Sequence, residues 1–176
     1  MSAATRPPRV VLLGVAGSGK STLGQALASD LGVDFVEADD LHGPANRARM
    51  AQGLPLDDAA REPWLAAVHT VLTGLVAAGR GFVLACSLLK RAHRERLQRG
   101  LPPLQLVHLA VPPDVLRQRL AARRGHFFPV TLLDDQLAAW QPLEHGHTIA
   151  AEGPPEALVA RLAAMLRPPP TGFTSA

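Results

Sequence analysis

A glycine-rich run between a predicted strand and a predicted helix constrains this chain more than any other feature. Its members are Gly14, Val15, Ala16, Gly17, Ser18, Gly19, Lys20, Ser21 and Thr22. Apolar residues 10–13 precede the run and a helical pattern of leucine and alanine follows it, which is the setting that the G-x-x-x-x-G-K-S/T motif requires. Glycines let backbone N–H groups and the positive end of the next helix surround an anion. The run therefore predicts a nucleoside triphosphate site in which all nine residues contact the nucleotide.

Two residues of this phosphate loop have individual predicted roles. Lys20 is placed to reach the β- and γ-phosphates and to stabilise the phosphoryl group during transfer, and the Ser21 hydroxyl can hold Mg²⁺. The alternative is an ordinary glycine turn between a strand and a helix, which the complete motif and its flanks disfavour. ATP and Mg²⁺ are accordingly the predicted cofactors.

Apolar runs of strand length alternate with helical patterns along the rest of the chain. Strands are predicted at 10–13, 33–36, 82–87, 104–111 and 147–151, and helices after the phosphate loop and at 46–51, 61–78, 91–99, 113–124, 131–137 and 155–166. This order predicts one α/β domain over residues 9–166 with the P-loop NTPase three-layer fold, a parallel five-stranded sheet with helices on both faces and a lid. We expect a flexible N-terminus over residues 1–8 and a disordered, proline-rich tail over 167–176.

Composition excludes several classes of protein. The 176 residues are 47% hydrophobic, which indicates a globular chain, yet no apolar run approaches the length of a membrane span and no signal peptide is visible. A cytoplasmic location without membrane contact is the expectation. The single cysteine, Cys86, excludes an internal disulfide framework and a multi-cysteine metal site. The excess of eighteen basic over fifteen acidic residues is mild and contains no long basic run, so no nucleic-acid partner is predicted.

Lysine usage singles out a second position. Only two of the eighteen basic residues are lysines, Lys20 and Lys90, in a chain that otherwise uses arginine. A compact ammonium and a planar guanidinium are not interchangeable, so Lys90 is a candidate functional residue, although chance would also explain a second lysine.

Carboxylates follow the second predicted strand. Glu37, Asp39 and Asp40 come where ligands bind in open α/β sheets, at the carboxyl end of a strand beside the phosphate loop. The chain has no N/T-K-x-D run typical of GTPases and no aspartate after its later core strands, which favours a small-molecule kinase over a nucleotide switch or a motor. Asp39 and Asp40 are the predicted catalytic carboxylates that orient an acceptor hydroxyl, and Asp39 with Ser21 is the predicted Mg²⁺ site. The alternative role for the two aspartates is to cap the next helix.

Arginines precede a second loop. Arg119, Arg123 and Arg124 lead into the glycine- and proline-containing residues 125–129, a pattern typical of a lid, which we place at about 124–138. Arg119 and Arg123 lie four residues apart, on one helix face, and are the predicted nucleotide ligands. One can stack on adenine and another can meet the transferring phosphate; the alternative is a solvated arginine face.

Taken together, these segments resemble the P-loop gluconokinases, over nearly the whole chain from residue 10 to 144. The matching segments are Gly14 to Thr22, Ala38-Asp39-Asp40-Leu41-His42, Pro44-Ala45-Asn46 with Met50, Gly53-Leu54-Pro55-Leu56 with Asp58 and Arg61, Pro63-Trp64-Leu65, Cys86-Ser87-Leu88-Leu89-Lys90 and Gly125-His126-Phe127-Phe128. The resemblance implies ATP-dependent phosphorylation of D-gluconate at its 6-hydroxyl, and a homodimer.

Gluconate is a polyol with a carboxylate, so its site needs cationic groups at one end and hydrogen-bonding groups along its length. Arg49, Arg61 and Lys90 are candidates for the anionic end, and His42 and His126 for the hydroxyls. Each histidine could instead be an ordinary loop residue.

The chain departs from the family pattern at four positions. Glu37 stands where many relatives have aspartate, Ala60 where an acidic residue is common, Leu88 where a small alanine is usual, and Asp134 where serine is frequent. None of these removes a group that binds phosphate. Two rival functions stay open at this point: a kinase of another small anionic polyol, such as a shikimate kinase, and a nucleotide-binding module without catalysis.

Overall fold

The computed structural model describes residues 6–122 and 130–166. The strands are β1 (Arg9–Leu13), β2 (Asp34–Glu37), β3 (Phe82–Ala85), β4 (Gln105–Ala110) and β5 (His147–Ala150). The helices are α1 (Lys20–Leu31), α2 (Pro44–Ala51), α3 (Asp58–Ala77), α4 (Arg91–Gln98), α5 (Pro113–Ala122), α6 (Val130–Ala139) and α7 (Pro155–Leu166), with a 3-10 turn at Ala38–Leu41.

Within the described residues, five parallel strands form one sheet in the order β2-β3-β1-β4-β5. The central strand β1 alternates its side chains between two cores. Val10 and Leu12 pack with α1 and α7, whereas Val11 and Leu13 pack with α3 and α4. Helices therefore cover both faces, and the predicted three-layer α/β fold is confirmed.

A third, smaller core joins the phosphate loop to the helices that follow β4. Val15 packs with Leu89, Leu116 and Leu120, and with Leu133 of α6. These contacts hold the carboxyl end of β1 against α5 and α6, which is the edge of the sheet where the site is expected.

Several predicted boundaries need correction. The helix predicted at 61–78 begins at Asp58, because the Asp57 carboxylate accepts a hydrogen bond from the Ala60 N–H (2.7 Å) and caps it three residues earlier. The strand predicted at 82–87 ends at Ala85, where its pairing with both neighbouring strands stops. Thr131 was predicted to cap a helix but lies inside α6, which begins at Val130.

Some predictions fall outside the described residues. These are most of the predicted flexible N-terminus, the predicted disordered tail and residues 123–129, which include the first part of the predicted lid. Pro8, at the end of the predicted flexible segment, accepts a hydrogen bond from the Phe82 N–H (2.9 Å). Among the helices of residues 6–122 and 130–166, none combines the length and apolar character needed to cross a membrane.

Candidate active site

The phosphate loop has a backbone that only glycine adopts easily. Gly14 has φ 152° and Gly19 has φ 94°, both on the left-handed side. A Cβ on Gly14 would lie 2.7 Å from the Ser18 Oγ, so the close approach also excludes a side chain there. Gly19 caps α1 without any side-chain hydrogen bond, so the N–H groups of the first helical turn face the loop interior with no side-chain cap.

The side chains of the loop fit a phosphate chain. The Lys20 Nζ donates to the Val15 carbonyl (3.0 Å), which holds the ammonium folded over the loop. The Ser18 hydroxyl is 1% exposed and has no hydrogen-bond partner among the described residues. A buried hydroxyl without a partner, a lysine ammonium and an uncapped helix N-terminus together suit a bound polyphosphate.

Ala16 differs from the other predicted phosphate ligands. Its N–H donates to the Oε1 of Gln136 on α6 (2.7 Å), so this backbone donor is already satisfied within the protein. No sequence pattern marked Gln136, because the two residues are 120 positions apart.

Arg119 lies beside the phosphate loop. Its guanidinium donates to the carbonyls of Gly17 (3.4 Å) and Ala151 (3.1 Å), which places it between the phosphate loop and the segment after β5. The predicted ligands Arg123 and His126 lie outside the described residues.

The predicted catalytic carboxylates lie on the 3-10 turn after β2. The Glu37 carboxylate accepts from the Asp39 N–H (3.5 Å), and the buried Trp64 indole N–H donates to the Ala38 carbonyl (2.7 Å), so the first residues of the turn are held. The alternative in which Asp39 or Asp40 caps the next helix is wrong, because Gly43 occupies the cap position of α2.

Asp39 is the aspartate on the side of the phosphate loop. Burial raises the pKa of the Cys86 thiol, and the Asp39 charge raises that pKa further while Lys20 opposes it. Cys86 directly follows β3, between β1 and β2 in the sheet, so Asp39 and Lys20 both lie near the end of this strand. Both aspartates are exposed, and the Asp40 carbonyl accepts from Arg47.

His42 packs beside Asp39, between its carboxylate and the Trp64 ring. Its ring is buried and stacks on Trp64 with centroids 4.5 Å apart, and its Nε2 lies 4.0 Å from an Asp39 carboxylate oxygen. Burial lowers the pKa of His42, which the Asp39 charge only partly offsets, so the ring is neutral near pH 7. Its other nitrogen lies 3.4 Å from the Asn46 amide. His42 therefore supports the turn as well as lining the site.

The two predicted substrate arginines hold the loop that precedes α3. Arg49 donates to the Pro55 carbonyl (3.0 Å) and Arg61 to the Leu56 carbonyl (3.2 Å). Arg61 is half-buried, and its charge lowers the pKa of both His42 and His93. Arg61 therefore lies between the carboxylate turn and α4, whereas Arg49 is exposed.

Lys90 lies in a cationic cluster at the start of α4. Its Nζ lies 2.7 and 2.8 Å from the two Asp58 oxygens, and the His93 Nε2 is 3.2 Å from the first of them. The hydrogen bond from Lys90 is the main cause that lowers the pKa of Asp58. Sequence reasoning missed His93, because it stands in a charged helical pattern with nothing to distinguish it. Burial lowers the pKa of His93 and the Arg61 charge lowers it further, so Arg61 lies near this group. We call Asp58, Arg61, Lys90 and His93 the Lys90 cluster.

Arg94 was also missed, and it holds the segment that carries Lys90. Its buried guanidinium donates to four backbone carbonyls at 2.9 to 3.1 Å. Two belong to Leu88 and Leu89, and two belong to Gln141 and Pro142 after α6. The guanidinium carbon also lies 5.5 Å from the centre of the Trp140 ring.

A cavity of about 600 Å³ lies at the opposite end of the sheet. Its lining includes Gln105 and His147, the first residues of β4 and β5, whereas the phosphate loop follows the last residue of β1. The candidate active site is therefore the carboxyl edge of the strands.

A parallel sheet with this phosphate loop before α1, a carboxylate beyond β2 and a cationic cluster beyond β3 defines a P-loop small-molecule kinase. A family model described as an AAA domain matches residues 10–143. The gluconokinase of Gluconobacter oxydans is 47% identical over 133 residues, which cover 76% of this chain and 75% of the relative. The chain belongs to the gluconokinase family.

Solved structures agree with this membership. An unliganded sugar kinase from Janibacter sp. is 38% identical with a TM-score of 0.83, over 90% of this chain and 94% of that one. A gluconokinase from Sinorhizobium meliloti is also 38% identical, with a TM-score of 0.78 over 92% of this chain and 96% of that one. A shikimate kinase from Aquifex aeolicus has a TM-score of 0.56 at 20% identity, which is a likeness of fold alone.

Proposed function

We propose that the protein transfers the γ-phosphoryl group of ATP to the 6-hydroxyl of D-gluconate, giving 6-phospho-D-gluconate and ADP. The observation that carries the proposal is that Asp39 and Lys20 lie near the end of β3, and that the segment after the same strand leads to Lys90, which pairs with Asp58 of α3. Relatives named gluconokinase, at 47% and 38% identity, support gluconate as the acceptor.

The residues supply charge and orientation for the transfer. The acceptor hydroxyl oxygen bonds to the γ-phosphorus as the bond from that phosphorus to the β–γ bridging oxygen breaks, and ADP leaves with the bridging electrons. Lys20 stabilises the charge that spreads over the transferring group. Asp39 orients the hydroxyl and accepts its proton late in the transfer.

The Lys90 cluster is the proposed site for the gluconate carboxylate. Lys90 and His93 both contact the Asp58 carboxylate in this structure, so they already present donors at carboxylate distances. Arg61 adds a second positive group beside Lys90, on the side toward Asp39, and burial lowers the pKa of the His93 ring. A carboxylate there lets the rest of a six-carbon chain extend toward Asp39.

Magnesium is the proposed metal, with the Ser21 hydroxyl and the Asp39 carboxylate as its protein ligands. In residues 6–122 and 130–166, no group of three or more His, Cys, Asp and Glu side chains could hold a metal ion by itself. This suits Mg²⁺, which in kinases takes one or two protein groups and completes its shell with phosphate oxygens and water. When bound, the ion would neutralise phosphate charge.

Two further proposals rest on family membership: the protein is a homodimer, and it works in the cytoplasm.

ADP release with gluconate, shikimate and a panel of other sugar acids tests the proposed function. We expect turnover with gluconate, and phosphorus NMR of the product should show a phosphomonoester on the terminal primary hydroxyl. Turnover with another acid but not with gluconate would refute the acceptor, and absence of turnover with every acid would favour a nucleotide-binding module.

A further inference from the structure

One side chain joins the phosphate loop to a distant helix. The Gln136 Oε1 on α6 accepts from the Ala16 N–H at 2.7 Å, and this bond is partly buried. Apolar contacts surround it, since Leu133 and Leu137 of α6 lie in the same small core as Val15. Gln136 therefore fixes the first turn of the loop that receives the nucleotide phosphates.

The same helix is fastened at its other end to the segment that carries Lys90. After α6, the Gln141 N–H donates to the Leu89 carbonyl (2.9 Å) and the Gln141 amide oxygen accepts from the Arg91 N–H (2.6 Å). Arg94 adds hydrogen bonds to carbonyls on both sides of this contact. Gln141 follows Gln136 by only five positions, so one short, packed unit contacts both halves of the site.

We propose that Gln136 is a positioning residue for the nucleotide, and that through it α6 couples the phosphate loop to the Lys90 cluster, so that acceptor and nucleotide each favour binding of the other. The argument is mechanical. A shift of the Lys90 segment moves Gln141, the helix carries the shift to Gln136, and the amide oxygen moves the Ala16 N–H. Thermodynamic linkage makes the effect reciprocal. The coupling to gluconate rests on the proposed function, whereas the effect on nucleotide binding alone does not.

Gln136→Met tests the proposal, because methionine keeps the length and packing of the side chain and removes the amide oxygen. Asp135→Asn is the matched control, an exposed neighbour on the same helix. Titration calorimetry on the full chain would measure the Kd of a non-hydrolysable ATP analogue with Mg²⁺, with and without saturating gluconate. Thermal melting of each variant would report on the fold.

We expect Gln136→Met to weaken binding of the analogue alone about fivefold, the factor that corresponds to one neutral hydrogen bond. Gluconate should strengthen binding of the analogue in the wild type and in Asp135→Asn, and should leave it nearly unchanged in Gln136→Met. A residue with a merely structural role would lower both affinities and keep their ratio.

Two results would overturn the proposal: analogue affinity in Gln136→Met equal to that of the wild type, or a gluconate effect in this variant as large as in the wild type. If the wild type releases no ADP with gluconate, the proposed acceptor fails, and the comparison with nucleotide alone still decides the role of Gln136.

Discussion

Replacing Arg94 with methionine should destabilise the protein more than the same replacement of Arg96 on the same helix. The Arg94 side chain is 8% exposed and donates to four backbone carbonyls that belong to two separate segments, one after β3 and one after α6. Methionine keeps most of the packing volume and provides no donor. Four carbonyls then lose a charged partner in a place where water has little access.

The magnitude follows from the contacts. A hydrogen bond from a charged donor contributes about 1.5–3 kcal/mol, but bonds from one side chain are not additive, and the desolvation of the guanidinium is recovered when it is removed. Each buried carbonyl left without a donor costs about 1–3 kcal/mol, so the loss of this donor should cost a few kcal/mol in all. For a chain of this size each kcal/mol lowers Tm by roughly 2–4 °C. We therefore expect Arg94→Met to lower Tm by roughly 10 °C.

Urea denaturation and thermal melting of the wild type and two control variants would measure the effect. Arg96→Met is the matched control on the same helix, since Arg96 makes a more exposed ion pair with Glu62 (2.7 Å) that should contribute less than about 1 kcal/mol. Arg94→Lys should fall between the two, because an ammonium keeps the charge but cannot reach both segments. The reasoning is refuted if Arg94→Met and Arg96→Met lose the same free energy of unfolding.

Three further predictions concern the site and its pH dependence. Lys20→Ala should lower kcat by at least about 100-fold with Tm nearly unchanged, since it removes a charge that stabilises the transferring group; near-normal kcat in the ADP-release assay would contradict this. Lys90→Arg should raise the KM for gluconate and leave Tm within a few degrees, because a guanidinium does not replace a compact ammonium; unchanged kinetics would show that the role given to Lys90 is wrong. Burial lowers the pKa of His108 below the ordinary 6.5, and the Arg94 charge lowers it further, so the unfolded chain binds more protons than the folded one just below pH 6.5. The free energy of unfolding should therefore decrease as the pH is lowered from 7.5 to 5.5, and this decrease should be smaller in His108→Gln. Equal pH dependence in the wild type and His108→Gln would show that His108 is not the group responsible.

Local sequence patterns were enough to predict the sheet and the phosphate loop. β1 and β3 are continuous apolar runs because both faces of a central parallel strand are covered, and glycines mark the backbone positions where φ is positive. The start of α3 was missed for a local reason as well. Asp57 is an ordinary helix cap three residues before Ala60, and the apolar periodicity that guided the prediction begins only after it.

The contacts that organise the site could not be predicted in the same way. Gln136 and Ala16 are 120 positions apart, and Arg94 reaches Gln141 across 47 positions. Periodicity reports which face of a helix is buried, and it contains no information about which distant carbonyl a buried guanidinium meets. Lysine usage indicated Lys90, yet its partner Asp58 became visible only when α3 and α4 were placed side by side.

The segment between β3 and α4 shows why these long-range contacts matter for function. Leu88 is buried with φ 33°, a left-handed conformation that costs a residue other than glycine about 1 kcal/mol or more. The chain keeps this conformation because Arg94 binds the carbonyls of Leu88 and Leu89 and because Gln141 donates to the second of them. The strained turn carries the backbone from β3 to Lys90 at the start of α4. The position of Lys90, the cation proposed to bind gluconate, thus depends on contacts with α4 and α6. Because α6 also binds the phosphate loop through Gln136, the nucleotide side and the acceptor side of the site both depend on contacts from this distant helix.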